Sequence, residues 1–182
     1  MNVMGWNDTF NYNSKLWTSK TELKNPGLDP DKEVLLPSYW TMPIKEVMIV
    51  MKTDNGTIRQ ITIPFHASSL FDVIADNKYK WIAQGRKAWK NLVPESSLQT
   101  QCNQEGFNVN PNPNSPSNHR VRIGIVSNNE FDCWTTDSHI GVGADGYSCV
   151  PGEATVVSGN GAGCWADNGD KVIYTTANVF IK

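Results

Sequence analysis

Val121, Ile123 and Ile125 alternate with Arg120, Arg122 and Gly124, and this period of two constrains the chain more than any other feature. It predicts a β-strand with one face in the core. The strand runs into Asn128, Asn129, Glu130, Asp132, Asp137, Ser138 and His139, and Ile140-Gly-Val-Gly143 then returns to apolar sequence. A core strand that delivers many oxygen-bearing side chains to its own end suits a hard cation or a hydroxyl-rich ligand. Cys133, inside the loop, is placed to pin it.

The other elements are read from local chemistry. Lys45–Thr53 and Thr57–Ile63 are strand-like runs on either side of Asp54-Asn55-Gly56. The Asn-Gly pair predicts a type I′ hairpin turn. Ser68 or Ser69 can cap a helix over 70–75, with Leu70, Val73 and Ile74 on one face. The spacing of Trp81, Ala88, Trp89, Leu92 and Val93 predicts a second helix over 81–93, stopped by Pro94, with Trp81 and Trp89 packed and its lysines and arginine solvated. Residues 108–118 are rich in Asn, Pro and Ser and read as an exposed loop. Residues 141–169 read as a long stretch with little regular structure, and 170–182 as a final, central strand.

Length suits one domain over residues 1–182. Sixteen basic and eighteen acidic residues leave a net charge of −2, without the basic face of a nucleic-acid binder. No apolar run reaches membrane-spanning length, and the first residues carry no charged and apolar leader pattern. The cysteines, Cys102, Cys133, Cys149 and Cys164, contain no Cys-x-x-Cys pair, which argues against zinc. Three pairings are open. Cys102–Cys133 and Cys149–Cys164 are favoured, because they tie down loops with little core of their own. An even count in such loops points to an oxidising, extracellular setting, against four free thiols in a reducing one.

The order of strand, Asn128-Asn129-Glu130, cysteine, Ile140-Gly-Val-Gly143, a Cys-bearing Gly-rich loop, and terminal strand Val172–Val179 resembles the C-terminal part of fibrinogen-like domains. Within them it resembles the intelectin (X-type lectin) branch, over about residues 119–182. The resemblance implies an α+β fold with a mixed or antiparallel sheet, short helices and a long loop-rich calcium-binding region. It implies a Ca²⁺ that coordinates a sugar diol, with Asn129, Glu130 and Glu153 as ligands. The chain departs from the pattern at two positions. Asp137 stands where the family has a ligand histidine, and His139 replaces an adjoining cysteine. The family's aromatic box has no clean counterpart, and Trp134, Tyr147 and Trp165 are the residues able to supply one.

Together these readings nominate Asn129, Glu130, Asp132, Asp137 and Glu153 for Ca²⁺, and Asn128, Asn129, Trp134, Tyr147 and Trp165 for ligand. Asp145-Gly146 and Asp167-Asn-Gly-Asp170 are candidates for a second ion site. The expected function is a non-catalytic, secreted carbohydrate-recognition module for glycans or glycoproteins, with avidity from homo-oligomers or tandem domains. The alternative is a structural or adhesive matrix protein in which Ca²⁺ only stabilises the loops. A glycosidase using Glu130 with Asp137 or Glu153 ranks third. His66, between a strand and a helix, reads as a buried hydrogen-bonding residue.

Overall fold

The computed structural model describes residues 1–27, 29, 32–115, 117–147 and 155–182. Among the described residues the strands are β1 (Asn2–Met4), β2 (Ile44–Thr53), β3 (Ile58–Ala67), β4 (Lys80–Trp81), β5 (Gln101–Val109), β6 (Arg120–Asn128), β7 (Ser138–Asp145), β8 (Ser158–Ala162) and β9 (Lys171–Ile181). The helices are α1 (Ser38–Thr41), α2 (Leu70–Ile74) and α3 (Arg86–Leu92), with 3-10 turns at Asp8–Phe10 and Lys15–Thr18. All pairings between strands are antiparallel, in the order β3-β2-β9-β8-β7-β6-β5-β4, and β1 also pairs with β9. Strands take 41 % of the chain and helices 13 %. This overturns the expected α+β fold of fibrinogen-like type, because one continuous sheet organises the molecule and the helices are short covers on it.

Local expectations survive where neighbouring residues decide the structure. The β2–β3 hairpin forms, with Ile49 opposite Ile61 and Val47 opposite Ile63. Its turn differs from type I′. Gly56 has φ +82° but Asn55 does not take a positive φ, and Gly56 N–H bonds Thr53 O at 2.9 Å. A type I turn followed by a left-handed glycine is the three-residue alternative, and the Asn55 side chain supports it by accepting from Thr57 N–H at 3.0 Å. Ser69 caps α2 through the Asp72 N–H at 3.1 Å, burying Leu70, Val73 and Ile74.

The predicted helix over 81–93 is shortened to 86–92. Lys80 and Trp81 pair with β5 instead, and Gly85 at φ +82° separates the two elements. Trp89 is fully buried, but Trp81 is 67 % exposed. Of the cations here, Lys87 is exposed as expected, whereas Lys80 pairs with Asp76, and Arg86 and Lys90 both pair with Asp167. The stretch expected to be irregular, 141–169, contains most of β7 and all of β8. His66 is exposed, not buried.

The middle of the sheet is folded on itself. All nine residues of β6 are buried, although their alternation predicted one wet face. Gly106, Gly124, Gly141 and Gly159 lie side by side across β5, β6, β7 and β8. A Cβ on Gly141 would lie 2.3 Å from Ile123 O, and one on Gly159 would lie 2.0 Å from Ile173 O. Only glycine permits backbones this close. A straight strand would hold His119 about 23 Å from Val126, seven residues on. Yet His139, the partner of Val126, meets His119 at 2.8 Å between their Nδ1 atoms. The strands therefore crease along the glycine row. Val109, Val121, Val126 and Ala144 form a small apolar cluster of their own. The main core, including Ile123, Ile125, Ile140, Val142, Phe107 and Trp89, is a separate and larger one.

Candidate functional site

The disulfide Cys102–Cys133 joins the start of β5 to the loop between β6 and β7, the pairing favoured from sequence. Cys149, and with it the Cys149–Cys164 pairing, lies outside the described residues, as does Glu153. The loop is braced from three further directions. Asn128 closes β6, and its Nδ2 donates to Asp132 O at 2.8 Å and Thr135 Oγ1 at 3.2 Å. His119 N–H donates to Thr136 O at 2.8 Å, and Thr136 Oγ1 returns a bond to His119 O at 2.7 Å. Asn112 and Asn118, from the Pro/Asn loop, both donate to Trp134 O. That low-complexity segment is thus a clamp on the candidate site.

The nominated residues separate into groups. Asn129, Glu130 and Asp132 are exposed on the loop. Asp132 Oδ1 accepts from Trp134 N–H at 2.8 Å and so shapes the turn, and Glu130 accepts from Thr135 Oγ1 at 3.3 Å. Asp137 is half-buried, and burial raises its pKa above the usual carboxylate range. The Gln99 amide at 3.4 Å opposes the shift, and the neighbouring Glu130 carboxylate adds to it. Gln99 Nε2 also donates to Gly163 O and Cys164 O, which orients the amide. Gln99 Oε1 and Asn128 Oδ1 are left buried without a hydrogen bond among the described residues.

No ion pair engages Glu130, Asp132 or Asp137 among the described residues. Of the acids nominated for a second ion site, Asp170 is exposed and the other two are spent otherwise. Asp145 pairs with Arg120 at 2.5 Å and accepts from Asn13, and Asp167 pairs with Arg86 and Lys90. A guanidinium on the carboxylate does the neutralising there that a cation would do. Among the described residues no three His, Cys, Asp or Glu side chains converge as a complete metal cage. The oxygens at the loop, from Glu130, Asp137, Gln99 and Asn128, are of the kinds that Ca²⁺ takes. His139 points into the crease and packs against His119.

Of the aromatics, Trp165 is 87 % exposed, Trp134 62 % and Tyr147 54 %. No two of them make a ring contact with each other. Cys164 and Trp165 both take left-handed backbone conformations, φ +57° and +63°. Gly163 N–H bonds Asp137 O at 3.1 Å, which sets this turn beside the loop. Tyr147 belongs to the Ser117 side, where its N–H bonds Ser117 O. Sequence reading missed Phe131, the most exposed aromatic at 90 %. Its signal was an aromatic residue between Glu130 and Asp132, two residues from a half-cystine, with no core within reach. No protein-family model, no curated protein and no solved structure matches the chain.

Proposed function

We propose that this protein is an extracellular carbohydrate-recognition module that holds glycans at the 128–137 loop through a bound Ca²⁺. One observation carries the reading. Asp145 and Asp167 are neutralised by basic side chains, whereas Glu130, Asp132 and Asp137 share a disulfide-pinned loop with no basic partner among the described residues. Of these acids Glu130 and Asp137 interact electrostatically, and a pair of like charges without a basic partner is relieved by a cation. Glu130 and Asp137 supply charge, and Asn128, Asn129 and Gln99 supply neutral oxygens. Phe131, Trp134 and Trp165 offer flat apolar surface for sugar rings. The disulfide fits an oxidising compartment. Among the described residues no helix is long and apolar enough to cross a membrane.

Calcium titration of the melting temperature tests the reading, on wild type, Glu130→Gln and Asp137→Asn. At a hundredfold excess over Kd, calcium stabilises wild type by about 2.7 kcal/mol, and the gain shrinks in both variants. A glycan array that loses its signal in EDTA completes the test. A melting temperature indifferent to calcium removes the ion and the lectin mechanism with it. Calcium-dependent stability without glycan binding leaves an adhesive matrix module whose ion only orders the loop. Turnover of a chromogenic glycoside, lost in Glu130→Gln, would make the carboxylates catalytic instead.

A further inference from the structure

Arg122 is a buried charge with no counter-charge. It is 4 % exposed, and no carboxylate among the described residues pairs with it. Its Nε donates to Tyr12 O, and its Nη1 to Asn77 Oδ1 and Asn108 Oδ1, each at 2.8 Å. Its guanidinium stacks 4.2 Å from the centre of the Tyr12 ring. Every one of these partners is neutral. Burial lowers its pKa, and Arg120 adds to the effect. Nη2 makes no hydrogen bond among the described residues. Arg86 and Arg120, the other arginines drawn into the structure, each have an aspartate. A buried cation left to neutral partners costs stability that an anionic partner would recover.

The residue lines a cavity of about 610 Å³, a size that admits a monosaccharide or somewhat more. Tyr12, Tyr79, Lys15, Asn13 and Asn110 also line it, and no lining residue is acidic. Lys15 stands exposed at the rim without an ion pair. The Asn110 side chain bonds the Tyr12 hydroxyl, and its Oδ1 is buried with no hydrogen bond among the described residues. Unused cationic donors, an unused neutral acceptor and tyrosine rings therefore occur on one wall system. A carboxylate satisfies the first, a hydroxyl the second, and a sugar ring the third.

We propose that this cavity is a second binding site and that it takes a hydroxylated acid of the hexuronate class. The carboxylate sits against Arg122 Nη2 and Lys15, and a ring hydroxyl donates to Asn110 Oδ1. The cavity shares no residue with the 128–137 loop. Its success or failure is therefore separate from that of the calcium reading.

Sodium glucuronate is the probe, followed by calorimetry and by side-chain NMR of the tyrosines and arginines. Glucose serves as the neutral analogue, and acetate and inorganic phosphate as anions without the sugar ring. The expected result is saturable glucuronate binding in EDTA, weaker in high salt, and tighter than glucose, acetate or phosphate. Lys15→Glu, on the exposed rim, weakens it by about tenfold or more, the cost of replacing an attraction by a repulsion. Asn110→Ala weakens glucuronate and leaves acetate unchanged. Arg122→Gln abolishes binding but also strips donors from Tyr12, Asn77 and Asn108, so the rim variants carry the test. The proposal is overturned if millimolar glucuronate does not bind. It is equally overturned if glucose binds as well as glucuronate, if phosphate binds in its place, or if Lys15→Glu leaves the affinity unchanged.

Discussion

His139 and His119 are both buried, and their hydrogen bonds assign their protons. Val156 O only accepts, so His139 Nε2 at 2.9 Å must carry a proton. Neutral His139 then offers Nδ1 as the acceptor, and His119 Nδ1–H donates to it. Burial holds His119 well below the usual histidine value and His139 down to about 4. The unfolded chain binds protons that the folded pair refuses. The contribution is thus complete above the unfolded value of 6.5 and is lost as pH falls toward about 4. For His139 it amounts to about 3 kcal/mol. The expected outcome is a melting temperature that falls with pH across this window, with two histidine NMR signals staying neutral until unfolding begins. Asp137 and Glu33 are shifted upward and act in the opposite sense, so the histidine effect is cleanest above the carboxylate range. Asp167 makes a separate prediction. Burial opposes its ionisation, but bonds from Lys90, Arg86 and the Leu98 N–H prevail and hold it at about 2. Its contribution is present above 3.8 and is lost as pH falls through about 2. Asp167→Asn should cost about 2 kcal/mol near neutral pH by denaturant titration.

The crease in the central strands depends on the absence of four side chains. Gly141→Ala places a carbon 2.3 Å from a backbone carbonyl in a tightly paired ladder. It should lower stability by about 3 kcal/mol or more, or prevent folding, because backbone cannot yield as a flexible side chain does. Gly27→Ala is the control: nothing lies within 4 Å of its added carbon and its φ is not positive. That change should be neutral or stabilising by up to about 1 kcal/mol. Equilibrium unfolding of the two variants measures the difference. The candidate loop relies on a different device. Cys102 and Cys133 are 31 residues apart, and a cross-link of that span contributes about 3–4 kcal/mol in the chain-entropy account. Replacing both with alanine should lower the denaturant midpoint correspondingly and weaken calcium binding, since the carboxylates lose their common anchor.

The molecule is closed by its last strand. β9 pairs with β2 along one edge, and with β8 and β1 along the other. Asn2 lies opposite Asn178, so the earliest strand waits for the latest. Such distant pairing predicts folding in milliseconds to seconds rather than microseconds. It also predicts that a chain ending at residue 170 lacks cooperative unfolding and dispersed NMR signals. A stably folded fragment would show that β5–β8 hold together without β9. The same arrangement places the two proposed sites on different parts of one sheet. The 128–137 loop lies where β6, β7 and the Gly163–Asp170 turn meet, and the cavity lined by Arg122 lies between the β5–β6 strands and the 3-10 turns near Tyr12.

Residues near in sequence determined what depends on neighbours alone. The β2–β3 hairpin, the capped start of α2 and the strand of β6 were legible, because turn chemistry, capping and alternation act over a few residues; the Cys102–Cys133 link, across 31 residues, follows instead from which loops need tying. Register decided the rest. Four glycines on four strands look like scattered strand breakers until pairing aligns them, and only then does the sheet crease. That crease buries both faces of β6, which alternation alone had left half wet, and brings together His119 and His139, twenty residues apart. Long-range charge pairing likewise took Asp145 and Asp167 for Arg120, Arg86 and Lys90 and left Arg122 without an acid among the described residues. Composition counts the charges. Only the folded chain decides which of them meet, because pairing depends on distance in space and on burial, and neither is carried by residue order.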